Sequence, residues 1–207
     1  MPGSNKKPQL AVKRRRLLGG LCALGLGVPN IRSAAAADED EARAAPREDD
    51  RLVFAFGPRS GEIVAPADLT AGQAQIVVYP MDVATGVVRD ANRLNQTLLL
   101  RLDPAMLSEA TLARAADGIV AYSGVCTHTG CDVTDWSAEQ LRFKCPCHES
   151  EFDPSDAARV VGGPAPWQLA ALPLKIADGD IAVAGAFEGR LGFAQPGLDP
   201  FGGLGGL

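Results

Sequence analysis

Cys126-Thr127-His128-Thr129-Gly130-Cys131 and Cys145-Pro146-Cys147-His148-Glu149-Ser150 are the two stretches on which the reading of this chain turns. Between them they hold both histidines and four of the five cysteines. A buried structural cysteine is common, and a lone core histidine is commoner than a ligand histidine. Packing alone does not explain two matched Cys/His pairs in a chain otherwise poor in both types. Cys126 with His128 and Cys145 with His148 make a set of two soft sulfur and two imidazole donors, which suits a metal centre. Zinc, bound within an interaction module, is one occupant such a set allows.

Outward from these stretches the chain reads as mainly β. Short apolar runs at 52–56, 75–79, 97–102, 119–122, 141–144, 158–161, 172–176 and 181–184 are bounded by Gly, Pro, Asn or Asp, which is a strand pattern. Asp178-Gly179 is placed to turn the last two into a hairpin. Asp103-Pro104 opens an expected short helix through Ala116, with Asp as cap and Pro in the first turn. With 207 residues, 46% of them hydrophobic, one domain with a real core is expected at 51–192.

Residues 1–37 carry Lys6, Lys7, Lys13, Arg14, Arg15, Arg16 and Arg32 and no acid, followed from Leu17 by an apolar stretch and then by the small-residue run Ala34 to Ala37. That is a targeting composition, and Arg14-Arg15-Arg16-Leu17-Leu18 reads as a twin-arginine export signal. The alternative is an uncleaved anchor, but the stretch is shorter than the roughly 20 apolar residues of a spanning helix and is broken by Gly and Pro29. The chain is therefore expected in the periplasm or outside the cell, and at a membrane only if the signal is kept. Cys22 counts as part of the signal. Without it, 13 basic residues face 25 acidic ones, a formal charge of −12. Nucleic acid is excluded as a partner on that balance. An acidic flexible leader is expected at 38–50 and a Gly-rich flexible tail at 193–207.

The spacing C-x-H, sixteen residues, C-x-x-H resembles the Rieske family pattern at all four ligand positions. The resemblance implies a [2Fe-2S] cluster with Cys126 and Cys145 on one iron and His128 and His148 on the other. Two ferric ions, two sulfides and two thiolates sum to zero when both imidazoles are neutral, so an added electron costs less than in a four-thiolate centre and the potential is higher. It further implies a fold of stacked antiparallel β-sheets with a small cluster-binding subdomain, and a disulfide between Cys131 and Cys147, which suits an oxidising destination. Two free thiols are the other possibility. Ser150 and Phe152 fall where cytochrome bc-type members have Ser and Tyr hydroxyls near the cluster. Loss of the Tyr hydroxyl, and Glu149 in place of the usual Gly, both imply a lowered potential. Gly163 and Pro164, within Gly162-Gly163-Pro164-Ala165-Pro166, resemble the proline loop that covers the cluster.

Rieske oxygenases are set aside, since they lack the second Cys pair and need further histidines. Ile119-Val120-Ala121-Tyr122-Ser123 and the run from Lys144 to Asp153 are similar to the small subunit of arsenite oxidase-type enzymes. That family implies a molybdopterin large subunit as electron donor and a cytochrome c or copper protein as acceptor. The sixteen-residue spacing and Gly163-Pro164-Ala165-Pro166 are similar to the Rieske subunit of cytochrome bc complexes, where the donor side is the cytochrome b subunit. A stand-alone exported Rieske protein is the third reading. In each, the chain is an electron-transfer subunit and not catalytic alone.

Overall fold

The structure, a computed structural model, describes residues 34–193. The expected signal up to residue 33, Cys22 with it, and the tail from 194 lie outside the described residues. After helix α1 (Ala34–Arg43), ten strands follow: β1 (Arg51–Phe54), β2 (Ile76–Met81), β3 (Thr97–Arg101), β4 (Ile119–Ser123), β5 (Asp135–Ser137), β6 (Arg142–Lys144), β7 (Glu151–Asp153), β8 (Arg159–Gly162), β9 (Leu174–Ala177) and β10 (Asp180–Val183). They form a six-stranded sheet in the order β4-β3-β2-β1-β10-β9 and a four-stranded sheet in the order β5-β6-β7-β8, both antiparallel throughout. The chain leaves the larger sheet after β4, builds the smaller one as a meander and returns for the β9–β10 hairpin. Asp178 and Gly179 both have positive φ, as the expected two-residue turn requires.

The core explains this order. Leu98 and Leu100 of β3 and Val120 and Tyr122 of β4 pack with Phe143 and Phe152 of the smaller sheet. Leu99, Ile119 and Ala121, pointing the other way, pack with Leu52, Val78, Ile181 and Val183. β3 and β4 are thus buried on both faces, which is why they read as unbroken apolar runs. Cys126 and Cys145 belong to the cluster shared by the two sheets. Tyr122 bolts that seam: its hydroxyl donates to the Pro154 carbonyl at 2.8 Å and its ring meets Phe143 edge-on at 6.0 Å.

Two expectations need correction. The helix after Asp103 is broken: Asp103 caps a single 3₁₀ turn (Pro104–Met106), Leu107 is extended, and Ser108 caps a second, short helix α2 (Glu109–Leu112). The acidic segment 38–50 is ordered, not a flexible leader. Its Asp50 accepts two hydrogen bonds from Arg89, at 2.7 and 3.0 Å, and its Glu41 accepts a third at 2.6 Å. The Arg89 side chain is 0% exposed, with Asp82 at its remaining side. A buried guanidinium is stable only with its charge matched, and here the acids of the segment supply the match. Asn95 and Ala91 bind backbone carbonyls of the same segment.

Candidate metal centre

The two decisive stretches form two loops with one backbone pattern. In the first, the Cys126 N–H donates to the Cys131 carbonyl and the Gly130 N–H to the Cys126 carbonyl; in the second, the Cys145 N–H donates to the Ser150 carbonyl and the Glu149 N–H to the Cys145 carbonyl. In each the fifth residue has positive φ, Gly130 at 81° and Glu149 at 58°. A non-glycine residue there is strained, so Glu149 departs from glycine at the one place in its loop where glycine is easiest. Its carboxylate pairs with Lys144, which offsets the negative charge expected beside His148. The first loop follows β4, whose last residue, Ser123, pairs with Thr97. The second is the turn between β6 and β7.

The loops meet. Cys131 and Cys147 form a disulfide across them, which removes both sulfurs from any ligand set. Cys126 and Cys145 are buried free thiols. Burial pushes the Cys126 thiol up, and the neighbouring Cys145 adds to this, while the His128 backbone N–H and the Ser150 hydroxyl act the other way. The imidazoles of His128 and His148 lie edge to face, 4.6 Å between centroids. His148 is exposed and His128 half-buried. His128 Nδ1 is buried and has no hydrogen-bond partner among the described residues. A buried ring nitrogen without a partner is costly unless something else takes its lone pair. Two thiols and two imidazoles, one of them with its Nδ1 free of any hydrogen bond among the described residues, are a donor set whose chemistry fits a two-iron centre.

The expected proline loop lies against the second stretch. Gly163 has φ of 76°, and a Cβ there would stand 2.5 Å from Ser150 Cα, so only glycine lets the loop lie on the second stretch. The Ala165 N–H donates to Ser150 Oγ at 3.1 Å, and Thr127 Oγ1 donates to the Trp167 carbonyl at 2.6 Å. One loop is thereby tied to both stretches. Phe152 is fully buried, its ring filling space where a phenol would bring a hydroxyl.

Sequence reasoning missed two residues of this region. Arg93 donates to the Gly130 carbonyl and pairs with Asp132, both at 2.5 Å. Phe193, read as the start of the tail, lies against Gly130. Neither carries a local signal, because each partner is far along the chain.

The Rieske [2Fe-2S] domain family matches residues 62–173, more than half of the chain. Curated relatives include the Rieske iron–sulfur subunit of the cytochrome bc1 complex of Streptomyces lividans, 38% identical over 46% of this chain and 57% of that one. The putative respiratory nitrate reductase Rieske subunit of Haloferax mediterranei is 41% identical over 46% and 44%, and the cytochrome b6-f iron–sulfur subunit of Synechococcus elongatus 38% over 46% and 52%. The chain spans about half the length of these relatives. Among solved structures, the plasma membrane Rieske protein of Synechocystis is 22% identical over 58% of this chain and 95% of that one, with a TM-score of 0.38. On the family match, which takes in both loops and strands β2 to β8, the chain belongs to the Rieske [2Fe-2S] domain family, the electron-transfer proteins whose cofactor is a [2Fe-2S] cluster.

Proposed function

We propose that Cys126 and Cys145 bind one iron and His128 and His148 the other, and that the protein is exported by the twin-arginine route to serve as the electron-transfer subunit of a larger redox complex. The observation that carries this reading is the meeting of the two loops, joined by a disulfide: two buried free thiols, two imidazoles 4.6 Å apart and a His128 Nδ1 with no hydrogen-bond partner among the described residues. When bound, such a cluster accepts and returns one electron at a time. The residues around it set the conditions. The Ser150 hydroxyl stands near the Cys126 sulfur, the proline loop covers the second stretch, and exposed His148 leaves an imidazole edge for a partner to approach. Among the described residues no helix is long and apolar enough to cross a membrane.

A cytochrome b subunit as donor and a cytochrome c as acceptor are supported by relatives named as bc1 and b6-f subunits, by the disulfide and by the proline loop. A molybdopterin subunit of the arsenite oxidase type is the second donor reading, with a cytochrome c or copper protein as acceptor. It rests on the similarity of 119–123 and 144–153, and a relative named as a nitrate reductase subunit accords with a reductase partner.

The test has two arms. Cys126→Ser, His128→Ala, Cys145→Ser and His148→Ala should each lose iron and visible absorption, whereas Phe152→Tyr should keep both; iron retained at full occupancy in any of the four removes that residue from the ligand set. Purification of the tagged full chain from its native host should bring down haem b if the first donor reading holds and molybdenum if the second does. Recovery with neither would refute both donors.

A further inference from the structure

We propose that the segment 184–193, after β10, is a strap that holds the first loop in place, with Phe193 as its positioning residue. The consequence for the redox centre rests on the cluster assignment above, but the grip on the loop does not.

The strap is fastened at successive points. Glu188 exchanges both backbone hydrogen bonds with Ala171, at 2.9 and 2.7 Å, and its carboxylate takes a 2.6 Å bond from Arg114. The Arg190 guanidinium lies 4.0 Å from the centre of the Trp167 ring, and the carbonyl of the same Trp167 receives the Thr127 hydroxyl. Gly192 is buried beside Leu94. Phe193, the last of the described residues, lies on the first loop. A Cβ built on Gly130 would stand 2.4 Å from the Phe193 ring, so the ring occupies the space that any other residue at 130 would need.

Gly130 lies between His128 and Cys131, and its own groups are spoken for on every side. Its N–H closes the loop on the Cys126 carbonyl, its carbonyl takes the Arg93 guanidinium, and its remaining face is covered by a ring that is 36% exposed. A half-wet aromatic on loop backbone does little for the main core. It does keep water from the hydrogen bonds that shape the loop, and so holds His128 and the Cys131 half of the disulfide in one arrangement. Among the described residues the second loop has no such strap. There the proline loop does the same work, with Gly163 packed on Ser150 and Glu149. The two loops share a backbone pattern and are each covered from outside by a different segment.

The experiment compares Phe193→Ala and Phe193→Tyr with the parent, in the full-length loaded protein, by amide exchange, by the rate at which excess phosphine reduces the Cys131–Cys147 disulfide, and by the reduction potential. Losing a partly buried aromatic contact should raise local opening about tenfold. In Phe193→Ala, exchange at Gly130 and Cys131 and reduction of the disulfide should therefore accelerate about tenfold, with β3 amides unchanged and the potential displaced from the parent's. Phe193→Tyr should restore all three. Unchanged loop exchange in Phe193→Ala would overturn the proposal, and so would acceleration that appears equally in β3. Loop loosening in a chain that holds no iron would sustain the strap while refuting the cluster assignment. Should Phe193→Ala not accumulate, Phe193→Leu is read by the same criteria, with a smaller acceleration expected.

Discussion

In the six-stranded sheet, β3 and β4 bury side chains on both faces, whereas in the four-stranded sheet β6 and β7 bury one aromatic each, Phe143 and Phe152, and β5 and β8 bury none. The larger sheet is held by apolar area removed from water, a distributed term that no single contact dominates. The smaller one is held by discrete links: a disulfide, the Ser150 and Thr127 hydroxyls, and the close seat of Gly163. A centre that must meet partners keeps an edge at the solvent, here His148, where burial cannot fix it. Cross-links replace it there.

The largest effect should come from the buried ion pair beside the larger sheet, Arg89 with Asp50. Arg89→Leu leaves Asp50 buried without its partner and should cost about 3–5 kcal/mol in global stability, measured by urea unfolding, with disulfide reduction at the other region almost unaffected. Equal disturbance of both regions would show that the two sheets are held in the same way.

Replacing Cys131 and Cys147 together by Ser, which opens a link across a sequence separation of 16, should cost about 3 kcal/mol. The loss should be local. Amide exchange should rise in both loops and in β6 and β7 while β3 stays protected.

Tyr122→Phe sharpens the seam between the sheets. Removing the bond to the Pro154 carbonyl should cost about 1 kcal/mol at neutral pH. Burial pushes the Tyr122 hydroxyl up to about 12 from an ordinary 10.0. The folded form thus keeps its proton after the unfolded form has lost it, and the stability so contributed is full below pH 10 and lost as pH rises toward 12. Unfolding titrations should show a steeper alkaline decline in the parent than in Tyr122→Phe.

Ser150→Ala should have the smallest effect on stability, below about 1 kcal/mol, since it removes one acceptor from the Ala165 N–H. It should still lower the reduction potential, because a hydroxyl near the Cys126 sulfur favours the more negative form.

How much could be read in advance follows from the same contrast. Strands packed on two faces announce themselves as apolar runs, so β3 and β4 were legible nearly to the residue. Asp135-Trp136-Ser137 and Glu151-Phe152-Asp153 do not announce themselves as strands, because three residues with one inward ring carry no periodicity. The segment 38–50 looked unstructured because the charge that orders it, Arg89, lies 39 residues beyond Asp50. Of the site, the Cys and His residues stand out by type and spacing, and the disulfide and the proline loop were implied by family resemblance. Arg93 and Phe193 stay hidden, since each reaches Gly130 from far along the chain.

The most direct test of the central claim is an EPR spectrum of the purified full chain after ascorbate reduction, with iron and zinc counted on the same sample. Two irons per chain with a rhombic signal of low average g is the expected result, and it would be lost in Cys126→Ser and in His148→Ala. Zinc in place of iron, with no such signal, would contradict the electron-transfer account.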